Sequence, residues 1–151
     1  MEKLKIGDIA PDFRAKNQHG EWVELKNLLG NKVVLYFYPK DDTPGCTAES
    51  CSLRDNYELL QQKGYRVMGV SVDDEKSHLK FANKYNLPFD LIVDDTKTIV
   101  QQYGVWVEKN MYGKTYMGTA RTTFLINEKG VIDTIIEKVD TKNAAEQIVD
   151  L

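Results

Sequence analysis

The sequence predicts an α/β fold: a mixed central sheet flanked by helices, with a β-hairpin extension at the N-terminus. Three observations predict it. Residues 32–38 are a continuous β-branched and aromatic run, the pattern of a strand covered on both faces, and residues 65–72 read the same way. Helical stretches stand between such runs, giving strand–helix–strand units that call for parallel pairing. Late in the chain, residues 121–126 and 131–137 flank Asn127-Glu128-Lys129-Gly130, a hairpin whose antiparallel strands make the sheet mixed.

The elements follow in order. Residues 13–16 and 21–23 flank the turn Asn17-Gln18-His19-Gly20 and form the N-terminal hairpin. Residues 25–29 give one helical turn ended by Gly30. After the strand at 32–38 and a polar loop, residues 46–63 suit a helix that stops at Gly64. Residues 76–85 are helical, with a turn at Pro88; 90–93 give a short strand and 96–103 another helix. Residues 143–150 close the chain as a helix, while 105–117 carry no readable period. No linker, repeat or low-complexity tract interrupts the chain, so residues 1–151 read as one domain.

Composition excludes several classes of function. A chain of 151 residues buries roughly 70% of its unfolded surface, enough for a core without disulfide staples. Twenty basic residues against 23 acidic ones leave a net charge of −3, which gives no broad grip on nucleic acid. The longest apolar run, residues 33–38, falls far short of the roughly 20 residues of a membrane helix. The start, Met1-Glu2-Lys3-Leu4-Lys5, has no apolar stretch of a signal peptide, so a cytoplasmic protein is expected. The two histidines, His19 and His78, have no ligand spacing with each other or with the cysteines. They read as surface or turn residues, and no metal is expected.

Chemistry concentrates at Cys46 and Cys51, the only cysteines. Two thiols in one short segment of a reducing-compartment protein point to catalysis or redox sensing rather than a disulfide framework. The loop Pro39-Lys40-Asp41-Asp42-Thr43-Pro44-Gly45 leads from a buried strand into a helix, the end of an α/β sheet where sites gather. Thr43 before Pro44 reads as an N-cap with proline at the first helical position. Cys46 then falls in the first turn, where free N–H groups and the helix dipole favour a thiolate. Gly45 allows close approach of the backbone to a ligand. Ionisation alone is a modest lever. A free thiol of pKa ~8.5 is already about 3% thiolate at pH 7, so full ionisation gains only about 30-fold. An enzyme also needs groups that stabilise a leaving oxygen as charge develops on it.

Spacing limits what Cys51 can do. In an intact helix, five residues separate two Cα atoms by about 8.7 Å, beyond the ~7 Å reach of a disulfide. A permanent bridge is disfavoured, and the spacing is not that of a C-x-x-C dithiol. Two readings remain: a core residue, or a partner in a disulfide made and broken as the helix unwinds.

The residues from Pro39 to Cys46 resemble the peroxiredoxin pattern P-x-x-x-[TS]-x-x-C. Thr47-Ala48-Glu49-Ser50-Cys51-Ser52-Leu53-Arg54-Asp55 is similar to the bacterioferritin-comigratory-protein (PrxQ) branch, whose resolving cysteine commonly lies five residues after the reactive one. Gly7-Asp8-Ile9-Ala10-Pro11-Asp12-Phe13 resembles the family's opening segment, and Gly118-Thr119-Ala120-Arg121-Thr122-Thr123-Phe124 its distal arginine segment. The four matches run from residue 7 to 124 in the family's order. The resemblance implies a thioredoxin-like fold and a thiol peroxidase acting on hydrogen peroxide and organic hydroperoxides.

It also implies roles. Cys46 would be the peroxidatic thiolate, oxidised to a sulfenic acid. Cys51 would resolve it in an intrachain disulfide that thioredoxin or a similar dithiol protein reduces. Thr43 would hydrogen-bond the thiolate and peroxide. Arg121 would favour the thiolate and stabilise the leaving oxygen, Pro39 would shape the pocket, and Glu49 would anchor the active-site loop. No metal, haem or flavin is implied. No Gly-Gly-Leu-Gly segment or C-terminal resolving cysteine is present, which leads to the expectation of a monomer. A peroxide sensor of the same fold is the alternative; it would be oxidised once, where an enzyme cycles.

Overall fold

Alternation within one strand builds both halves of the core. In β3 (Lys32–Phe37), Val33, Leu35 and Phe37 enter one apolar cluster, while Val34 and Tyr36, with the following Tyr38, enter the other. All six are fully buried. Successive side chains of a strand point to opposite faces, so an unbroken apolar run needs cover on both. The computed structural model describes residues 3–151; Met1 and Glu2, part of the start on which the signal-peptide expectation rests, lie outside the described residues.

Around β3 stands a five-stranded mixed sheet in the order β5-β4-β3-β8-β9. β4 (Tyr65–Ser71) and β5 (Asp90–Val93) run parallel to β3; β8 (Thr122–Ile126) and β9 (Ile132–Ile136) add antiparallel strands. The N-terminal hairpin is β1 (Arg14–Lys16) with β2 (Trp22–Glu24). One face carries α1 (Pro44–Asp55), α2 (Tyr57–Gln62), α3 (Glu75–Tyr85) and α5 (Ala144–Val149), through Leu53, Leu60, Phe81 and Ile148. The other carries α4 (Thr98–Gln102), through Ile99 and Val100, and Phe13 ahead of β1. The predicted α/β architecture is the one observed. Among the described residues, no helix is long and apolar enough to cross a membrane.

Two local departures have identifiable causes. The helix expected over 46–63 begins at Pro44 and is broken into α1 and α2 at Asn56. The Asn56 side chain donates to the Ser52 carbonyl (2.9 Å), a local bond that competes with continued helix. The unreadable stretch holds a second hairpin, β6 (Trp106–Met111) and β7 (Lys114–Thr119). Its strands are largely exposed, which erases the apolar alternation. Its turn puts Tyr112 at φ 54° and Gly113 at φ 79°, and a tyrosine is a poor signal for a left-handed position.

Candidate active site

The loop after β3 is turned by its own side chains. Thr43 occupies the N-cap position of α1 with extended backbone (φ −103°, ψ 155°), and Pro44 is the first helical residue. The expected side-chain cap is absent: Thr43 Oγ1 donates to the Lys40 carbonyl (2.9 Å), closing the loop on itself. Its single proton is thereby used, and its lone pairs remain as acceptors. Pro39 is half-buried at the loop's start.

Cys46 sits in the first turn of α1 with no solvent exposure. The first amides of a helix lack partners within it and offer N–H groups to an anion. β8 delivers the counter-charge. Its register pairs Thr122 with Phe37, so Arg121, one residue before, lies at the end of β3 where the loop begins. Arg121 Nη2 donates to Cys46 Sγ (3.4 Å) and Nη1 to Glu49 Oε1 (2.8 Å). A Cβ added at Gly45 would lie 3.1 Å from Arg121 Nη2. The space that Gly45 leaves open is taken by a guanidinium of the protein itself.

Charge balance follows from burial. Glu49 is fully buried, and its Oε2 has no hydrogen-bond partner. Burial pushes its carboxyl up to about 7, outweighing the Arg121 bond that pulls it down. Burial also works against the Arg121 charge, but Cys46 and Glu49 together raise it above its ordinary value. Cys51, on the same helix, is half-buried and its thiol is pushed up, again by burial. Both cysteines are free, and α1 is unbroken across them. Lys109 of β6 adds a further positive group: burial and Arg121 lower it, while Cys46 draws it up. It lies in the stretch that gave no sequence signal.

The structure therefore gathers Cys46, Glu49, Gly45 and Arg121, with Thr43 and Pro39 on the adjoining loop. A concavity of about 780 Å³ beside Trp22 and α4 does not include Cys46. His19 is exposed in its turn, as expected. His78 is not: it is completely buried, with Nδ1 2.7 Å from Asp41 Oδ2 and Nε2 2.8 Å from the Ile92 carbonyl. Its place on the inner face of α3 and a carboxylate brought from 37 residues away overturn the surface reading. Asp41, Asp73 and His78 converge closely, yet both ring nitrogens are engaged by protein oxygens.

Known proteins resemble this chain over most of its length. The Bacillus subtilis peroxiredoxin Bcp is 45% identical over 140 residues, covering 93% of this chain and 89% of its own length. The solved Xanthomonas campestris bacterioferritin comigratory protein, a structure described for its alkyl peroxide reduction activity, superposes with a TM-score of 0.86 at 33% identity. That match covers 91% of this chain and 88% of the other. Xylella fastidiosa PrxQ superposes with a TM-score of 0.93 at 29% identity, covering 99% and 96%. The AhpC/TSA family pattern matches residues 6–135. This chain belongs to the AhpC/TSA family, on the Bcp/PrxQ branch of the peroxiredoxins.

Proposed function

We propose that this thiol peroxidase uses Cys46 as its peroxidatic residue and Cys51 as the resolving one, both within one chain. The observation that carries the proposal is the 3.4 Å approach of Arg121 Nη2 to a buried first-turn sulfur that shares its helix with the second cysteine. The Cys46 thiolate attacks one oxygen of the hydroperoxide, the O–O bond breaks, and sulfenic acid forms as the alkoxide or hydroxide leaves and takes a proton. Arg121 and the first-turn amides stabilise that developing charge, the role ionisation alone does not fill. Thr43 Oγ1, its hydrogen held by Lys40, accepts the hydroperoxide O–H. Pro39 walls the pocket, Gly45 admits the guanidinium, and Glu49 fixes the guanidinium's other edge.

Resolution follows by unwinding α1 until the Cys51 thiol condenses with the sulfenic acid and releases water. Thioredoxin or a similar dithiol protein then reduces the disulfide by exchange. The relative described for alkyl peroxide reduction supports organic hydroperoxides as substrates beside hydrogen peroxide. With both thiols in one helix, a single domain acting as a cytoplasmic monomer suffices.

Reduced wild type, Cys46→Ser and Cys51→Ser are each mixed with an equivalent of peroxide and followed by consumption and intact mass. Wild type loses a pair of hydrogens, Cys51→Ser gains an oxygen, and Cys46→Ser stays unchanged. Cys46→Ser consuming peroxide as fast as wild type would overturn the assignment. Repeated turnover with thioredoxin and its reductase distinguishes the enzyme from a sensor oxidised once.

A further inference from the structure

The sequence reading gave His78 and Asp41 no role, yet the two make a buried junction between the active-site loop and α3. Asp41 is the hub. Its Oδ1 accepts from the Tyr38 hydroxyl, and its Oδ2 from Ser77 Oγ (2.8 Å) and the His78 ring (2.7 Å). Its own backbone N–H donates to Asp73 Oδ2 (2.9 Å). The next residue, Asp42, holds a left-handed backbone (φ 56°) and accepts from Lys84 Nζ (2.8 Å) and the Tyr85 hydroxyl (2.9 Å) of α3. The loop that carries Pro39 and Thr43 is thus tied to α3 by two consecutive carboxylates.

Donor arithmetic counts the hydrogens on the His78 ring. His78 Nε2 faces a backbone carbonyl, which only accepts, so Nε2 carries a hydrogen. Nδ1 faces a carboxylate oxygen, so a second hydrogen stands between ring and carboxylate. Tyr38 and Ser77 already donate to Asp41, so its oxygens stand as acceptors and that hydrogen sits on the ring. A neutral ring would turn a lone pair toward either the Asp41 carboxylate or the Ile92 carbonyl inside a dry junction, where an unpaired polar contact is costly.

We propose that the His78–Asp41 pair is a positioning element of the peroxide reaction: while His78 holds both ring protons, it clamps residues 39–43 in the geometry that serves Cys46. This rests on the site assigned above. The titratable groups facing His78 are Asp41 from the loop, Asp73 from the turn after β4 and Tyr38 from the end of β3; β5 contributes a carbonyl. Burial works against the imidazolium, but Asp41, the Ile92 carbonyl and Asp73 together outweigh it and hold His78 above its ordinary 6.5. Both ring hydrogen bonds are therefore made below pH 6.5, and one of the two is lost as pH rises through the higher folded value.

The test begins on reduced wild type by imidazole ¹⁵N spectra, with His19→Gln to assign the two rings. At about pH 6 the His78 ring carries both protons, and the amides of residues 40–43 shift in step as it titrates on the alkaline side. The rate constant for Cys46 oxidation falls over that same pH range. His78→Gln reacts roughly tenfold more slowly near pH 7 and lacks the alkaline fall. A singly protonated ring at about pH 6, loop amides indifferent to its titration, or an alkaline fall kept in His78→Gln would each overturn the proposal. The ring and amide titration is also read in Cys46→Ser. Peroxide consumption by that variant would count against the site assignment and leave the clamp measurement standing.

Discussion

Gly45 and Arg121 are shaped for one another: the Cβ that glycine lacks would lie 3.1 Å from the Nη2 that donates to Cys46. Contact that tight forces the neighbour to give by a few tenths of an ångström, and this neighbour is held on its far side by Glu49. Gly45→Ala should therefore tilt the guanidinium off the sulfur. Stability should change little, because alanine is favoured over glycine within a helix by up to about 1 kcal/mol. Stopped-flow oxidation should slow by roughly tenfold with the melting temperature nearly unchanged. Wild-type rates in Gly45→Ala would mean that the guanidinium does not act where it stands.

Arg121→Lys keeps the charge and loses the fork. An ammonium does not span the Cys46 sulfur and the Glu49 carboxylate, which Nη2 and Nη1 engage together. The expected loss in peroxide rate is about 100-fold, the usual scale for removing one aimed donor to a developing oxyanion. Urea unfolding should show a loss of ~1–3 kcal/mol as well, since buried Glu49 would lose the hydrogen bond from Nη1. A rate within a factor of about two of wild type would show that charge alone suffices, against the bidentate geometry.

Most of the sheet was legible because β3 and β4 are buried on both faces and say so in composition. The loop-to-helix junction was legible too, from Thr43-Pro44 before a first-turn cysteine, although Arg121 became readable only through the family pattern. What escaped has a common cause. The His78–Asp41 contact joins residues 37 apart, and no local period encodes it. The β6–β7 hairpin packs little of itself, so burial leaves no pattern in it. Thr43 was located correctly, but its hydroxyl's choice of the Lys40 carbonyl over a helix amide is decided by loop geometry.

Tyr36 ties the opening helix to the sheet. Its hydroxyl lies 2.9 Å from Ser50 Oγ, next to Cys51, and its ring occupies the space that a Cβ on Gly69 would fill at 2.7 Å. Tyr36→Phe removes a buried bond worth about 1 kcal/mol and leaves the packing intact. If α1 must unwind before the thiols meet, that loss raises the opened population about fivefold. Peroxide consumption should stay constant while disulfide formation accelerates by that factor. An unchanged disulfide rate in a measurably destabilised Tyr36→Phe would mean that α1 opening does not limit resolution.

Glu49 predicts a pH signature of its own. Its folded carboxyl titrates at about 7 against an ordinary 4.5, because burial outweighs the Arg121 bond. The folded chain therefore holds this proton longer than the unfolded one, and stability falls as pH rises from 4.5 to about 7. The cost is on the order of 3 kcal/mol at most. Glu49→Gln does not ionise, yet its amide oxygen still accepts from Arg121 Nη1. Urea midpoints across that window should slope downward in wild type and flatten by this amount in Glu49→Gln. The His78 contribution is common to both proteins and cancels in the difference. Parallel slopes would show that Glu49 titrates as an ordinary carboxylate, and the unpartnered Oε2 would then need another donor.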